Sequence, residues 1–418
     1  MPRFRNALLL WFCTSLLAAH SHAAESTVRI VPLAELGVDV ELGPPVVVAV
    51  SAPDETRWGH HQFPKLSALP KGEILLTYNA GADDNAAYGH PGPAYVSRDG
   101  GTTWQKYAGE PALAISHSPV SAIGNGEFLC LPFAPGIDVR ALANMPQPCG
   151  KYFCYAPRNY YRLAELPPTA RNYLQDLAAY RWTPATDVWK KETLHYEDRD
   201  ALAWTSEQGK QSILSRTSFE YPLFRAADEL YYADFKWRYA NRDGSIPRGM
   251  VVTCMASRDN GRTWERRGII GADEVGSLHF GEGSLAETPE GKLVAVLRST
   301  CEKEHPLWIA WSADRGQTWT ERHELWPRGV LPVLQRLESG PLVLAFGRPG
   351  LQLSISIDAA SQVWSQPLDV ATQSCGYSGL IPLDRHTLLL AYSDFKHATA
   401  DGKKCKAILV RKVKVRTP

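Results

Sequence analysis

The chain has 418 residues, 44% hydrophobic and 21% charged, with a formal net charge of +1. That composition excludes a mainly disordered chain, and the near-zero charge excludes the broad attraction for phosphate backbones on which nucleic-acid binding rests. Length alone suggests two to four domains, although all-β units of this size also occur as one, and 13 Trp, 17 Tyr, 32 Gly and 30 Pro suit many short strands joined by turns.

The first predicted element is a leader. Arg3 and Arg5 precede the apolar run Ala7–Ala19, and Ser21-His22-Ala23 follows as a small-x-small cleavage site. This reads as a secretory signal peptide over residues 1–23, too short to span a bilayer, so a secreted or periplasmic protein is expected. Removing Arg3 and Arg5 from 45 basic residues leaves 43 against 44 acidic ones. No later apolar run approaches the ~20 residues of a membrane span, so no stable membrane insertion is expected after cleavage. Beyond Cys13 lie seven cysteines, an odd number that leaves at least one free thiol in a monomer. Cys149 with Cys154 is the plausible local disulfide in an exported chain.

Residues 24–418 then read as a single all-β domain built on a repeat. Strand-like Ala94-Tyr-Val leads into Ser97-Arg-Asp99-Gly-Gly101-Thr-Thr-Trp104. An insertion, about 136–182, is rich in Pro, Arg and Tyr, and Pro167–Tyr180 within it is its best helix candidate. It is either a loop excursion over the substrate face or a surface decoration. Trp189 marks a unit without the repeat motif. The motif returns as Ser257-Arg-Asp259-Asn-Gly261-Arg-Thr-Trp264 and Ser312-Ala-Asp314-Arg-Gly316-Gln-Thr-Trp319, and in a longer, degenerate form from Ser356-Ile-Asp358 to Trp364. Each Asp suits the turn amides, each Gly permits a positive φ, and each Trp supplies apolar area between sheets. Steps of 55 residues from Trp264 to Trp319 and 45 from Trp319 to Trp364 match one four-stranded unit each. An N-terminal strand closing against the last unit makes six.

These motifs are Asp boxes, and the chain resembles the sialidase (neuraminidase) superfamily of BNR-repeat β-propellers. The resemblance implies a six-bladed β-propeller of four-stranded antiparallel blades and a sialidase-like glycoside hydrolase that removes a terminal acidic sugar from a glycan by a retaining mechanism. It also indicates where the site lies. Phe280–Arg298 is similar to the strand pair that carries the glutamate partner of the nucleophile, here Glu282, and a substrate-binding arginine, here Arg298. Cys375-Gly-Tyr377-Ser378-Gly-Leu380 resembles the family's Tyr-Ser-x-Leu segment, which makes Tyr377 the nucleophile. A neutral phenol avoids the repulsion that a carboxylate nucleophile would meet at an anomeric carbon bearing a carboxylate, and with a pKa near 10 it needs a base. Arg348 matches a second substrate-binding arginine, suited to bidentate carboxylate contact. Asp83 or Asp84, in Asn79-Ala-Gly-Ala-Asp83-Asp84-Asn85 on the loop before Ser97-Arg-Asp99, is the implied general acid.

The pattern breaks at the first blade. Gln62, in His60-His61-Gln62-Phe63-Pro64-Lys65, stands where the family has its third arginine. Either Arg57, His60, His61 or Lys65 replaces that cation, or the substrate is not an ordinary sialic acid. The implied chemistry needs no metal and no cofactor. Two rivals remain: a propeller polysaccharide lyase or hydrolase acting on uronate-containing glycans, with His60 or His61 as base and Arg298 or Arg348 as neutraliser, and a non-catalytic carbohydrate-binding propeller.

Overall fold

The computed structural model describes residues 28–84, 88–154, 156–198, 200–241, 243–246, 249–273, 278–300 and 306–417. The leader expected over 1–23 and Cys301 lie outside the described residues. The protein is all-β, and its one described α-helix is Pro168–Gln175.

The strands form antiparallel meanders in chain order. Sheet I contains Gln62–Ala68, Ile74–Asn79, Ala94–Ser97 and Gln105–Lys106. Sheet II has eight strands in two groups of four, which share a parallel seam between His195–Glu197 and Thr263–Glu265. Sheet III runs from His279–Glu287 to His323–Trp326, and sheet IV from Val330–Arg336 to Leu368–Ala371. Sheet V combines the two ends of the chain. Ser378–Pro382, Thr387–Ala398 and Lys404–Arg416 supply three strands, and Asp39–Leu42 with Val46–Val50 pair along the outer edge of the last.

Face-to-face packing joins these sheets in a cycle. Leu75 and Ala94 of sheet I pack with Val120 and Cys130 of sheet II, and Val252 and Cys254 of sheet II with Phe280 and Leu297 of sheet III. Val294 and Ile309 meet Leu344 and Phe346, then Val343 and Leu353 meet Leu390 and Leu409. Leu389 and Val410 of sheet V return to Leu66 and Leu76 of sheet I. Strands covered on both faces read as nearly continuous apolar runs, such as Leu293–Leu297, every residue of which is buried. The arrangement is propeller-like, since radial repetition leaves only short edges.

The Asp boxes tie the third strand of a group to its outer strand. Asp99 Oδ1 accepts the amides of Thr102 and Thr103 at 3.0 and 2.8 Å, Gly101 N donates to Ser97 Oγ, and Trp104 Nε1 donates to the Gly101 carbonyl. Asp259 and Asp314 repeat this scheme. The degenerate box keeps it with one residue more: Asp358 accepts Gln362 N and Val363 N, and Ser361 takes the glycine's place at φ 55°.

The insertion departs from expectation. The helix ends at Gln175, and Asp176–Trp182 is a strand between Glu127–Cys130 and Trp189–Glu197. Alternate burial of Leu177, Ala179 and Arg181 has period two, and sheet pairing on both sides outweighs the helical spacing. The excursion is also larger than 136–182. Its strands Ile137–Asp138, Gly150–Cys154 and Ala156–Arg162 join Ala201–Gln208, Gln211–Leu214 and Arg238–Tyr239 in a separate inserted sheet. Nor do Cys149 and Cys154 form a disulfide. They lie five residues apart along extended chain, roughly 16 Å at ~3.3 Å per residue, far beyond the ~7 Å that a disulfide tolerates between Cα atoms. Cys149 is a free thiol, as are Cys130, Cys254, Cys375 and Cys405.

Candidate active site

Inner strands bend where the site forms. Bulges interrupt pairing at Gln62–Lys65, Gly281–Gly283 and Val330–Val333, and within them Phe63, Glu282 and Leu331 have φ of 55°, 41° and 42°. A bulge re-aims a side chain. Here it directs Glu282 to the Tyr377 hydroxyl and brings the Phe63 ring within 4.8 Å of the Tyr377 ring. Gly347 and Gly376 let sheets IV and V approach closely, since a Cβ on Gly347 would lie 2.0 Å from the Gly376 Cα. That contact sets Arg348 beside Tyr377, with the guanidinium 5.6 Å from the phenol ring.

A cavity of about 560 Å³ opens here, lined by Trp58, Asp83, Arg158, Phe235, Met250, Gly281, Glu282, Arg298, Arg348 and Tyr377. The Tyr377 hydroxyl donates to Glu282 Oε1. Arg298 Nη1 donates to the same oxygen at 2.8 Å and to the Tyr377 hydroxyl at 3.3 Å, and the Leu331 amide holds Glu282 Oε2 at 2.8 Å. Burial pushes the Glu282 carboxyl up, but Arg298, the Tyr377 hydroxyl and the Leu331 amide together hold it below its ordinary range. Burial and the Glu282 charge push the Tyr377 phenol well above its own. The resting pair is therefore a carboxylate accepting from a neutral phenol, the arrangement that lets a base take the proton of a tyrosine nucleophile. Arg298, bonded to both, is placed to stabilise the phenolate as it forms.

Five sequence-predicted residues converge on this cavity: Tyr377, Glu282, Arg298, Arg348 and Asp83. Asp83 Oδ2 accepts Trp58 Nε1 at 2.7 Å, and its other oxygen accepts the Tyr88 hydroxyl. The structure separates the adjacent acids, for Asp84 is not among the lining residues. Three predicted contacts are not brought in. Gln62 is fully buried, and neither its amide oxygen nor its nitrogen has a hydrogen-bond partner among the described residues. Its bulge turns Phe63 toward Tyr377 instead. His61 packs against Tyr78 with its ring centroid at 5.2 Å, and burial pulls its pKa down. Arg57 is exposed and pairs with Glu55. Of the other cations considered, His60 does not line the cavity. Lys65 is buried against Tyr221, where burial brings its pKa to about 8.

Sequence reasoning missed Trp58, Phe235, Met250 and Arg158. Arg158 comes from the inserted sheet, and its guanidinium stacks 3.9 Å from the Trp204 ring. No local motif announces it. Its signal lies in an Arg- and Tyr-rich insertion long enough to reach the site. Among the described residues, no group of three or more His, Cys, Asp or Glu could hold a metal ion.

The BNR repeat-like domain family matches residues 179–388, half of the chain, and the BNR/Asp-box repeat matches residues 95–106. The chain belongs to the BNR repeat-like domain family. It is thus a member of the sialidase-like BNR propellers that its Asp boxes resemble. No match was found among curated protein sequences. Among solved structures, a protein of unknown function from Dyadobacter fermentans is similar at 18% identity over 90% of this chain and 99% of its own, with a TM-score of 0.59. An α-L-arabinofuranosidase, Arb93A, from Fusarium graminearum, solved with an iminosugar inhibitor, is similar at 15% identity over 88% and 98%, TM-score 0.54. A Hadza microbial sialidase, Hz136, is similar at 14% identity over 84% and 65%, TM-score 0.50. At these identities the likeness is one of fold, and a fold hosts many activities.

Proposed function

We propose that the protein is a retaining exo-glycosidase of sialidase type that removes a terminal acidic sugar, sialic acid or a related one, from glycans. The observation that carries this reading is the contact of Tyr377 with Glu282 and Arg298. A half-buried tyrosine hydrogen-bonded to an ionised carboxylate and an arginine, at the wall of an open cavity, is the constellation an activated phenol requires. In the proposed reaction Arg298 and Arg348 hold the sugar carboxylate. Asp83 gives its proton to the glycosidic oxygen as the Tyr377 oxygen bonds to the anomeric carbon, and Glu282 takes the phenol proton. The leaving alcohol departs. Asp83, now a base, takes a proton from water, which attacks the anomeric carbon and returns the phenolate. Glu282 then gives the proton back to Tyr377.

The same reading counts six blades, with sheet II as two, in a single domain over 24–418, and takes 1–23 as a signal that sends the protein to the periplasm or outside the cell. Glycosidases among proteins of similar fold support carbohydrate as the substrate.

The test is hydrolysis of fluorogenic aryl glycosides of N-acetylneuraminic acid, glucuronic acid and L-arabinofuranose. Turnover of an acidic glycoside is expected, with the α or β configuration of the first product retained by proton NMR. Tyr377→Phe should lower kcat at least ~10³-fold, as loss of a nucleophile does. Turnover of the arabinofuranoside alone, an inverted product, or an unsaturated uronate absorbing in the ultraviolet would each overturn the reading.

A further inference from the structure

Asp83 lines the cavity on a loop that its neighbours hold in place. The Asn79 side chain donates to the Gly59 and Gly81 carbonyls, both at 3.0 Å. Gly59, at φ 88°, lies so close that a Cβ on it would sit 2.5 Å from the Asp83 amide nitrogen. The loop that carries Trp58 is thus pressed backbone to backbone against the loop that carries Asp83. Tyr88 comes from a segment anchored elsewhere. Gly92 N donates to the Ala114 carbonyl at 2.9 Å, and a Cβ on Gly89 would lie 2.4 Å from the Pro135 nitrogen. The Tyr88 ring stands edge-on to His117 at 4.8 Å and tilts against Phe133 at 5.4 Å.

Each oxygen of Asp83 accordingly meets a neutral donor. Trp58 Nε1 donates to Oδ2 at 2.7 Å, and the Tyr88 hydroxyl donates to Oδ1. The two donors differ in kind. An indole N–H can only donate, whereas a phenol hydroxyl can donate or accept. Both suit an ionised Asp83. When Asp83 carries a proton, the oxygen that faces a donor-only group is best left as the carbonyl, and the protonated oxygen is best placed beside a group that can turn and accept. Burial and the Asp83 charge push the Tyr88 phenol up, so it keeps its own proton in both states.

We propose that Trp58 and Tyr88 are positioning residues that assign the two oxygens of Asp83: Trp58 keeps Oδ2 bare, and Oδ1, beside the Tyr88 hydroxyl, carries the acid proton. When that proton passes to the glycosidic oxygen and leaves with the alcohol, the Tyr88 hydroxyl turns back to donate to the carboxylate that remains. The inference rests on the glycosidase reading for the use of the proton, but not for the arrangement that holds it.

The experiment pairs kinetics with indole NMR on the full chain, on Tyr88→Phe and on Trp58→Phe. The substrates are the 4-methylumbelliferyl and methyl glycosides of N-acetylneuraminic acid and of glucuronic acid. An aryl group departs with little help from an acid and a methoxy group does not, while the sugar makes the same contacts in both. General acid catalysis is worth roughly 10²–10⁴-fold, so each variant should lose at least ~10-fold more kcat/KM on the methyl glycoside than on the aryl one. A partly unfolded variant loses the same factor on both, so the ratio still reads the acid. Equal losses on the two substrates would overturn the proposal. In the proton–nitrogen spectrum the Trp58 indole resonance is the one absent from Trp58→Phe, and it should move in Asp83→Ala and in Tyr88→Phe. A resonance indifferent to either change would also overturn it. Should the resonance respond while the wild type cleaves no glycoside, the arrangement stands and the glycosidase reading falls. Cleavage of acidic glycosides with equal losses in the variants gives the reverse.

Discussion

At the scale of the residue, the proposed reaction turns on a proton held between the Glu282 and Tyr377 oxygens. Glu282 must be ionised to accept it, and its carboxyl is held below the ordinary value of 4.5. The sign follows directly: activity that requires ionised Glu282 is intact above 4.5 and declines only as pH falls through the lowered value. The same shift makes ionised Glu282 a source of stability above 4.5 that is lost on acidification. The acid limb of kcat/KM is therefore expected below pH 4.5. With Arg298→Gln, burial acts on Glu282 without that opposing charge, and the limb should move up by roughly 1–3 pH units. A pH–rate profile checks this separately from the rise in KM that loss of a substrate contact brings, and an unmoved limb would show that Arg298 does not tune the glutamate. Much of this centre was legible in the sequence. Tyr377, Glu282, Arg298 and Arg348 each sit in a short motif whose strand geometry is locally determined. Gln62 was misread because only the bulge decides whether position 62 or 63 faces the axis. Arg158 was invisible because pairing between strands some 45 residues apart carries it there.

At the scale of the element, the Asp boxes are structural. Asp259 accepts the Arg262 and Thr263 amides and the Thr263 hydroxyl, and Trp264 behind it is buried between sheet groups. At about 1 kcal/mol net per hydrogen bond, Asp259→Ala should lower stability by roughly 2–3 kcal/mol. Its kcat and KM below the melting range should match the wild type, because the turn lies apart from the cavity lining. Denaturant midpoints paired with kinetics test this, and a loss of kcat without a loss of stability would contradict it. The boxes were the most legible part of the chain, since every bond within one closes over eight or nine residues. The helix expected over Pro167–Tyr180 shows the opposite case. Its first turns obey local spacing, whereas from Asp176 onward two neighbouring strands, not local preference, determine the conformation.

At the scale of the molecule, closure is the joint on which the ring depends. Val46, Val47, Ala49 and Val50 pair with Val410, Leu409, Ile408 and Ala407. A chain beginning at Ser51 would leave the long edge of Lys404–Arg416 unpaired, a template for association. Such a chain should melt at least ~10 °C lower and form oligomers on size-exclusion chromatography. An unchanged transition would mean that the other interfaces hold the ring without this seam. The recurrence of the boxes and the position of the N-terminal strand made the cyclic plan readable. The inserted sheet was not, because its strands come from three separate stretches with no repeat to mark them.

The seam also sets the order in which the cavity is assembled. During synthesis Asp83 emerges early and Glu282 midway, but Tyr377 belongs to the last sheet, and the strands that seal that sheet were made first and wait for a partner. Until its last sheet is made, a nascent chain carries Asp83 and Glu282 without Tyr377. Ring closure thus comes last in the assembly of the cavity, and opening the joint between sheets V and I would part Phe63 from Tyr377.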